Sequence, residues 1–364
     1  MNDLVFGWRT ATLTVAIIQL LLIAAALSRP IANRVANRTL SFLLLTLAGI
    51  VTPWAIGFAG FYDHWHWLTF APFSITLAVA PLLWLYVKGL VDGEWPPRSW
   101  WHLAPAAVQF LFLLSGFLLP MGLKSQWADI ALLPYGAAAG VATTVGLIVY
   151  GIASLRAIRR YRSRMADVRS DDARYALRWL TRIIGANLLL LPIWSGYAIW
   201  DAVAPLGYRR LMGLYVAIAA FALYLAIEGW RHATLPFPRL VEADPLPTAT
   251  RDWEELGTRW AAIVRQQGWA ADPELSSALL ARKLGTNTSY LSRALNEGLG
   301  IGFSTFINQL RSEAVAAALS AGDRRDVLDL AFEAGFASKA SFNRAFQASF
   351  GMSPSAYRRV SLHK

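Results

Sequence analysis

Residues Asp326–Arg359 read DVLDLAFEAGFASKASFNRAFQASFGMSPSAYRR, and this stretch decides the class of the C-terminal region. It parses as a short helix, a tight turn, a second helix and a capped third. Asp326 is placed to cap the first helix, whose apolar face is Val327, Leu330, Ala331 and Ala334. Gly335 falls where the chain must turn sharply, a place for a residue that tolerates positive φ. Ser338 caps the next helix, with Phe342, Ala345, Phe346 and Phe350 on its apolar side, and Gly351 ends it. Ser353-Pro354 is a cap followed by proline at the first helical position. The polar side of the second helix carries Ser338, Lys339, Ser341, Asn343, Arg344 and Gln347, side chains of the kind that bond base edges and phosphates.

A degenerate copy lies about fifty residues upstream, LLARKLGTNTSYLSRALNEGLGI. Ala281 and Gly285 repeat the step of Ala331 and Gly335; Leu291, Arg293 and Leu295 answer Phe342, Arg344 and Phe346; Gly300 answers Gly351. The pair reads as two helix-turn-helix units in tandem.

The tandem resembles the DNA-binding domain of AraC/XylS-family bacterial transcription regulators. The family pattern is met by Ala331, Gly335, Phe336, Phe342, Arg344, Phe346, Gly351, Ser353, Pro354, Tyr357 and Arg358. The resemblance covers roughly the last hundred residues. Gln347 departs from it, standing where the family often has Lys or Arg. What it implies is binding of double-stranded DNA, with recognition helices near Asn287–Asn296 and Ser338–Ser349 in successive major grooves. Asn287, Ser289, Tyr290, Ser292 and Arg293 are the site residues in the first copy, and Ser338, Lys339, Ser341, Asn343, Arg344 and Gln347 those in the second. A homodimer is expected, because a signal at the membrane would bias DNA binding through dimerisation.

The preceding 230 residues are different material. Hydrophobic residues make up 56% of the whole chain and charged ones only 16%, with 16 tryptophans, a balance foreign to a soluble protein of this length. Seven apolar stretches are expected to cross a bilayer as helices: Thr10–Leu27, Leu40–Phe58, Leu68–Val87, Trp101–Leu119, Ile130–Ala153, Ile183–Trp200 and Leu211–Ile227. The first is read as an anchor rather than a cleaved signal, because Arg29, Arg34 and Arg38 follow it at once. The expected fold class is therefore all-α: a polytopic transmembrane bundle (residues 1–230), a Pro-rich tether (231–252) and the tandem helix-turn-helix domain (253–364).

Basic residues set the expected orientation. The loops after the first, third and fifth stretches carry Arg29/Arg34/Arg38, Lys88/Arg98, and nine arginines from Arg156 to Arg182. The alternate loops carry none, Lys124, and Arg209/Arg210. The N-terminus is thus expected outside a bacterial inner membrane and the C-terminal domain in the cytoplasm, with DNA. The formal net charge of +11 is not a DNA signal: from Trp253 onward 13 Lys/Arg face 10 Asp/Glu, a difference of three. Most of the excess lies in the arginine-rich loop, read as a topology signal attracted to anionic membrane lipid.

Prolines 236, 238, 245 and 247 make the tether extended. Trp253, Leu256, Trp260, Ile263 and Val264 mark an amphipathic helix that packs either on the DNA-binding domain or on a second chain. Phe303–Leu319 reads as an Ala-rich helix spacing the two units.

No catalytic constellation, phosphate-binding Gly loop or cofactor site stands out. The chain has no cysteine, and Asp63, His64 and His66 read as an interfacial cluster rather than a metal site. Gln19, Gln109, Thr143, Thr144, Asn187 and Ser195 are neutral polar residues within the apolar stretches, suited to interhelical hydrogen bonds or a pocket for a small-molecule or membrane-borne signal. Prolines 53, 81, 134 and 192 are expected to kink or end helices. Three functions fit this organisation: a membrane-bound regulator that senses a signal, a transporter- or channel-like protein with a DNA-binding tail, and a regulator whose helices only anchor it. The lack of intramembrane charge argues against the second.

The orientation is testable. Reporter fusions at Leu123 should score as external, and fusions at Arg164 and Lys364 as cytoplasmic. An external signal at Lys364 would overturn both the odd span count and access to DNA.

Overall fold

The structure is a computed structural model that describes residues 4–29, 32–169, 177–203, 208–235, 237–238 and 252–361. Among these residues all regular structure is helical. Among the described residues fourteen α-helices of six residues or more organise the chain: α1 Trp8–Leu27, α2 Arg34–Phe58, α3 Val79–Val91, α4 Ala104–Leu118, α5 Met121–Ala166, α6 Arg178–Val203 and α7 Met212–His232, then α8 Trp253–Gln267, α9 Ser277–Lys283, α10 Thr288–Arg293, α11 Phe303–Ser320, α12 Val327–Glu333, α13 Lys339–Phe350 and α14 Pro354–Ser361. The chain divides into two compact units, residues 1–158 with 178–239, and residues 159–177 with 240–364.

In the first unit α2 is central. It packs on α1, α3 and α7, and α7 packs in turn on α1 and α6. Small residues permit close approach, as in membrane bundles. A Cβ on Gly89 of α3 would lie 3.0 Å from the Ala36 backbone, and one on Gly229 of α7 would strike the Leu40 side chain at 2.2 Å. The start of α2 is tied to the end of α7 by two asparagines. Asn33 Nδ2 donates to the Leu235 carbonyl at 2.6 Å, and Asn37 Nδ2 donates to the carbonyls of Ala32 and Ala233 at 2.9 and 3.0 Å.

Five helical segments are long and apolar enough to cross a membrane: Trp8–Leu27, Arg34–Phe58, Ser99–Leu118, Pro134–Met165 and Met212–His232. The expected third span, Leu68–Val87, differs from the structure. Its helical part is the shorter Thr76–Val91, which opens with a 3-10 turn over Thr76–Ala78. Pro72 removes an amide donor and disfavours helical geometry at Ala71, so the first third of the stretch cannot join the helix. Prolines 53, 134 and 192 lie inside α2, α5 and α6 and end none of them; Pro81 sits in the first turn of α3, where no donor is lost. With 46 residues, α5 is about 69 Å long, more than twice a hydrocarbon core of about 30 Å. The arginine-rich stretch after the fifth apolar segment therefore begins as helix rather than loop.

That stretch also groups differently from the division expected from sequence, because Arg159–Leu177 belongs to the second unit. The Val168 carbonyl accepts from Ser277 N at 2.9 Å, and Arg169 pairs with Glu274 at 2.6 Å. Burial pushes the Asp167 carboxyl above its ordinary range. Residues 170–176 and the expected tether over 239–251 lie outside the described residues.

The second unit holds two cores. In the first, Trp260 and Val264 of α8 join Leu280, Ala281, Leu291, Leu295 and Phe306, which answers where the amphipathic helix packs: on its own domain. In the second, Leu319 and Val315 of α11 join Leu330, Ala331, Phe336, Phe342 and Phe346. Helix α11 serves both, so the spacer is shared core. Arg311 of α11 is 1% exposed; its Nε donates to the Ala270 carbonyl and its Nη2 to the Asp272 carbonyl, each at 2.7 Å. Its guanidinium also lies 5.8 Å from the Phe336 ring.

The turn glycine behaves as the sequence predicts. Gly335 has φ +96°, and a Cβ there would lie 2.6 Å from the Ala271 carbonyl oxygen. Gly335→Val should therefore disrupt the second unit twice over, by backbone strain and by collision. Expected outcome: proteolytic cleavage between α12 and α13 and loss of DNA binding, with membrane insertion intact. A variant that resists protease and binds DNA as well as wild type would show the turn to be unstrained.

Candidate nucleic-acid interface

Both helix-turn-helix units are built by capping. Asn287 Oδ1 accepts from Tyr290 N at 2.8 Å and opens α10; Ser338 Oγ accepts from Ser341 N at 3.2 Å and opens α13. Asp326 Oδ1 accepts from Leu328 N at 2.7 Å at the start of α12. The turns pivot on Gly285 (φ +69°) and Gly335, and Gly351 (φ +71°) ends α13. These caps fix where each second helix starts and which face it shows.

On α13 the core positions are Phe342 and Phe346, both buried. Lys339, Asn343 and Gln347 follow one another at four-residue steps and are all exposed. They form one stripe along a groove of about 570 Å³, which is completed by Asp326, by Ser353 and Pro354, and by Arg358. Arg344 is exposed too but lines a different groove, of about 390 Å³, with Ser304, Thr305 and Asn308 of α11. Ser341 is turned inward: it is 8% exposed, and its hydroxyl donates to the Ser338 carbonyl at 2.9 Å. Ser338 is half-buried and committed to its cap.

The first copy is more occupied with itself. Arg293 Nε and Nη2 donate to the Glu297 carboxylate at 2.8 and 3.2 Å, and the guanidinium lies 4.5 Å from the Trp253 ring. The Glu297 carboxylate raises the Arg293 pKa further above its ordinary value. Tyr290 packs on Trp253, with ring centroids 5.7 Å apart. Ser292 accepts from Asn296 Nδ2 at 3.1 Å, and Ser289 is half-buried. Asn287 is exposed while capping.

The loop that joins α11 to α12 is held from two sides. Arg325 beside Asp323 keeps that carboxyl below the usual carboxylate range, and Arg325 also pairs with Glu333 at 2.6 Å. Arg358 of α14 donates to the carbonyls of Asp323 and Arg325. Tyr357 packs edge-on against Phe346, its ring centroid 5.5 Å away. Sequence reading placed Tyr357 and Arg358 in the family pattern; their function here is to seat α14. It missed Arg311, although an arginine between Ile307 and Val315 on an otherwise apolar helical face was the available signal. Among the described residues no group of three or more His, Cys, Asp or Glu is placed to hold a metal ion.

A family model described as a helix-turn-helix domain matches residues 280–360. Uncharacterized HTH-type transcriptional regulators of Staphylococcus aureus strains MSSA476, N315 and MW2 are each 36% identical to this chain over 85 residues. The match covers 23% of this chain and 11% of each relative, so the chain spans only about a tenth of the length of these relatives. No solved structure matches the chain. Residues 280–360 are thus similar to an AraC-type helix-turn-helix domain.

The two grooves of α13 give the expected base and phosphate contacts separate tests. Asn343→Ala should cost about 1–3 kcal/mol at one base pair and relax preference there. Arg344→Ala should weaken all sites alike and lower the salt slope by about one unit. Both are read from binding of the full chain in nanodiscs to a randomised site library at several salt concentrations. A loss confined to one base pair for Arg344→Ala would reverse the assignment, and no loss for either variant would remove α13 from the interface.

Proposed function

We propose that this chain is a membrane-bound, sequence-specific transcription regulator whose transmembrane domain senses a signal and biases DNA binding by the C-terminal tandem. The observation that carries this reading is the exposed stripe Lys339, Asn343 and Gln347 on the second helix of a helix-turn-helix domain, in a chain that also holds five apolar helices of membrane-crossing length. Lys339 and Asn343 read bases, joined by Ser289 and Tyr290 of the first copy. Arg344 contacts phosphate, since its position belongs to the shared family pattern while target sequences differ among regulators. Asn287, Ser292, Arg293 and Gln347 complete the polar surface, and Ser338 and Ser341 hold the start of α13. The helices lie in the bacterial inner membrane with the N-terminus outside, and the protein acts as a homodimer on double-stranded DNA. The signal must bind two arrangements of the protein with different affinity.

The test is removal of residues 1–230 together with mapping of bound DNA by crosslinking and sequencing. A fragment that occupies the same sites but no longer responds to growth conditions supports sensing. Unchanged regulation would reduce the helices to an anchor, and absence of specific sites would overturn the regulator reading.

A further inference from the structure

Within the first unit, α2, α3, α5, α6 and α7 line a partly open cavity of about 70 Å³. Its walls are apolar, among them Leu47, Leu191, Trp194, Ile218 and Phe221, and its polar lining residues are Thr76, Thr143 and Asn187. The two threonines are satisfied: their hydroxyls bond each other at 3.0 Å, and Gln109 Nε2 donates to Thr76 Oγ1 at 3.2 Å. Gln109 is itself used up, accepting from Leu77 N at 2.9 Å and donating to the Tyr135 hydroxyl at 3.0 Å. Asn187 is different. It is 6% exposed, it lines the cavity, and its amide makes no hydrogen bond within the described residues.

A primary amide offers two donors and an acceptor, and leaving them unpaired in an apolar interior is unfavourable. In a bilayer no bulk water relieves the deficit. Thr76, Thr143 and Gln109 are paired with one another, so Asn187 is the polar lining residue of this cavity without a partner among the described residues; elsewhere in the unit Thr10 Oγ1, Asn37 Oδ1, Ser154 Oγ and Trp179 Nε1 are also buried without one.

We propose that this cavity binds the polar end of a small neutral amphiphile, whose carbonyl or hydroxyl pairs with the Asn187 amide. No ionisable side chain lines the cavity, so a charged group would enter without a counter-charge. The space is smaller than the roughly 150 Å³ that holds benzene in an engineered apolar cavity. It therefore takes a headgroup and a few carbons, with the rest of a longer molecule outside. The lining comes from five helices, and α7 is the helix that the tether follows in sequence. Occupancy thus acts on the packing of the bundle, as a signal site must. The proposal rests on the sensing role given above and assigns that role a place and a ligand class.

The probe is octan-1-ol carrying an aliphatic diazirine, with the matching diazirine alkane as control. Both are photolysed with the full chain in phosphatidylcholine nanodiscs, and labelled residues are mapped by mass spectrometry. The alcohol should label Trp194, Ile218 or Phe221 about five-fold more than the alkane does, the worth of one hydrogen bond. Unmodified octanol should compete. Asn187→Leu should remove the preference for alcohol over alkane, and Ile218→Trp, which fills the space, should remove both labels. Equal labelling of the exposed Leu22 and Leu111, or an undiminished preference in Asn187→Leu, would overturn the site. DNA binding is measured on the same nanodiscs. Specific DNA binding with even labelling removes the site and leaves the regulator, whereas selective labelling without DNA binding does the reverse.

Discussion

The guanidinium of Arg311 is the constraint on which the DNA-binding unit depends. A fully buried charge is tolerable only when its donors are used. Here the partners are two backbone carbonyls, Ala270 and Asp272, rather than a carboxylate. Those carbonyls belong to the segment between α8 and α9, while the guanidinium lies against Phe336 of the second core. One side chain therefore fixes the first core to the turn of the second. Gly335 completes the junction, because only a residue without Cβ leaves room for the Ala271 carbonyl. The two helix-turn-helix units consequently sit at a separation set by α11 and locked by this contact. A flexible pair could adjust to many spacings; a locked pair selects one.

The apolar unit uses other means for the same end. On the proposed membrane placement, interhelical contact there gains little from excluding water, so close approach and hydrogen bonds must specify the arrangement. Gly89 against Ala36 and Gly229 against Leu40 bring α3 and α7 onto α2. Asn33 and Asn37 then hold the chain just past α7. Residues 233–235 and 237–238 are consequently part of the bundle's own fold, although the sequence assigns them to the tether. Proline marks where a helix cannot continue; it does not mark where packing stops.

What could be read from sequence follows from how local each feature is. The caps at Asp326 and Ser338 and the turn at Gly335 are decided within four residues, and all three are as expected; the cap at Asn287 is equally local, though the sequence reading gives that residue only as a DNA contact. Phe342 and Phe346 were core by periodicity alone. Long-range features were not legible. Nothing near Arg311 names its partners, which lie about forty residues earlier. Nothing near Val168 announces that its carbonyl meets Ser277. The third apolar stretch looked long enough because hydropathy does not register Pro72. Ser341 looked like a polar-face residue because a serine at the third position of a helix serves equally well as solvent-facing group or as partner to its own cap.

The two copies of the motif are unequal in a way that bears on how the tandem reads DNA. In the first copy Arg293 is held by Glu297 and Trp253, Tyr290 by Trp253, and Ser292 by Asn296. On the proposed reading, a phosphate reaching Arg293 exchanges one anion for another, so the net gain is small and the geometry must rearrange. In the second copy Lys339, Asn343, Arg344 and Gln347 are exposed, and they gain contacts without giving any up. Strength of attachment therefore falls mainly on α13. Because Arg311 fixes the separation, α10 is carried to its groove by that attachment, at a local concentration set by the rigid link rather than by its own affinity. On that proposed reading the first copy needs little binding energy of its own, and its Ser289 and Tyr290 add to the base reading that Lys339 and Asn343 supply in the second.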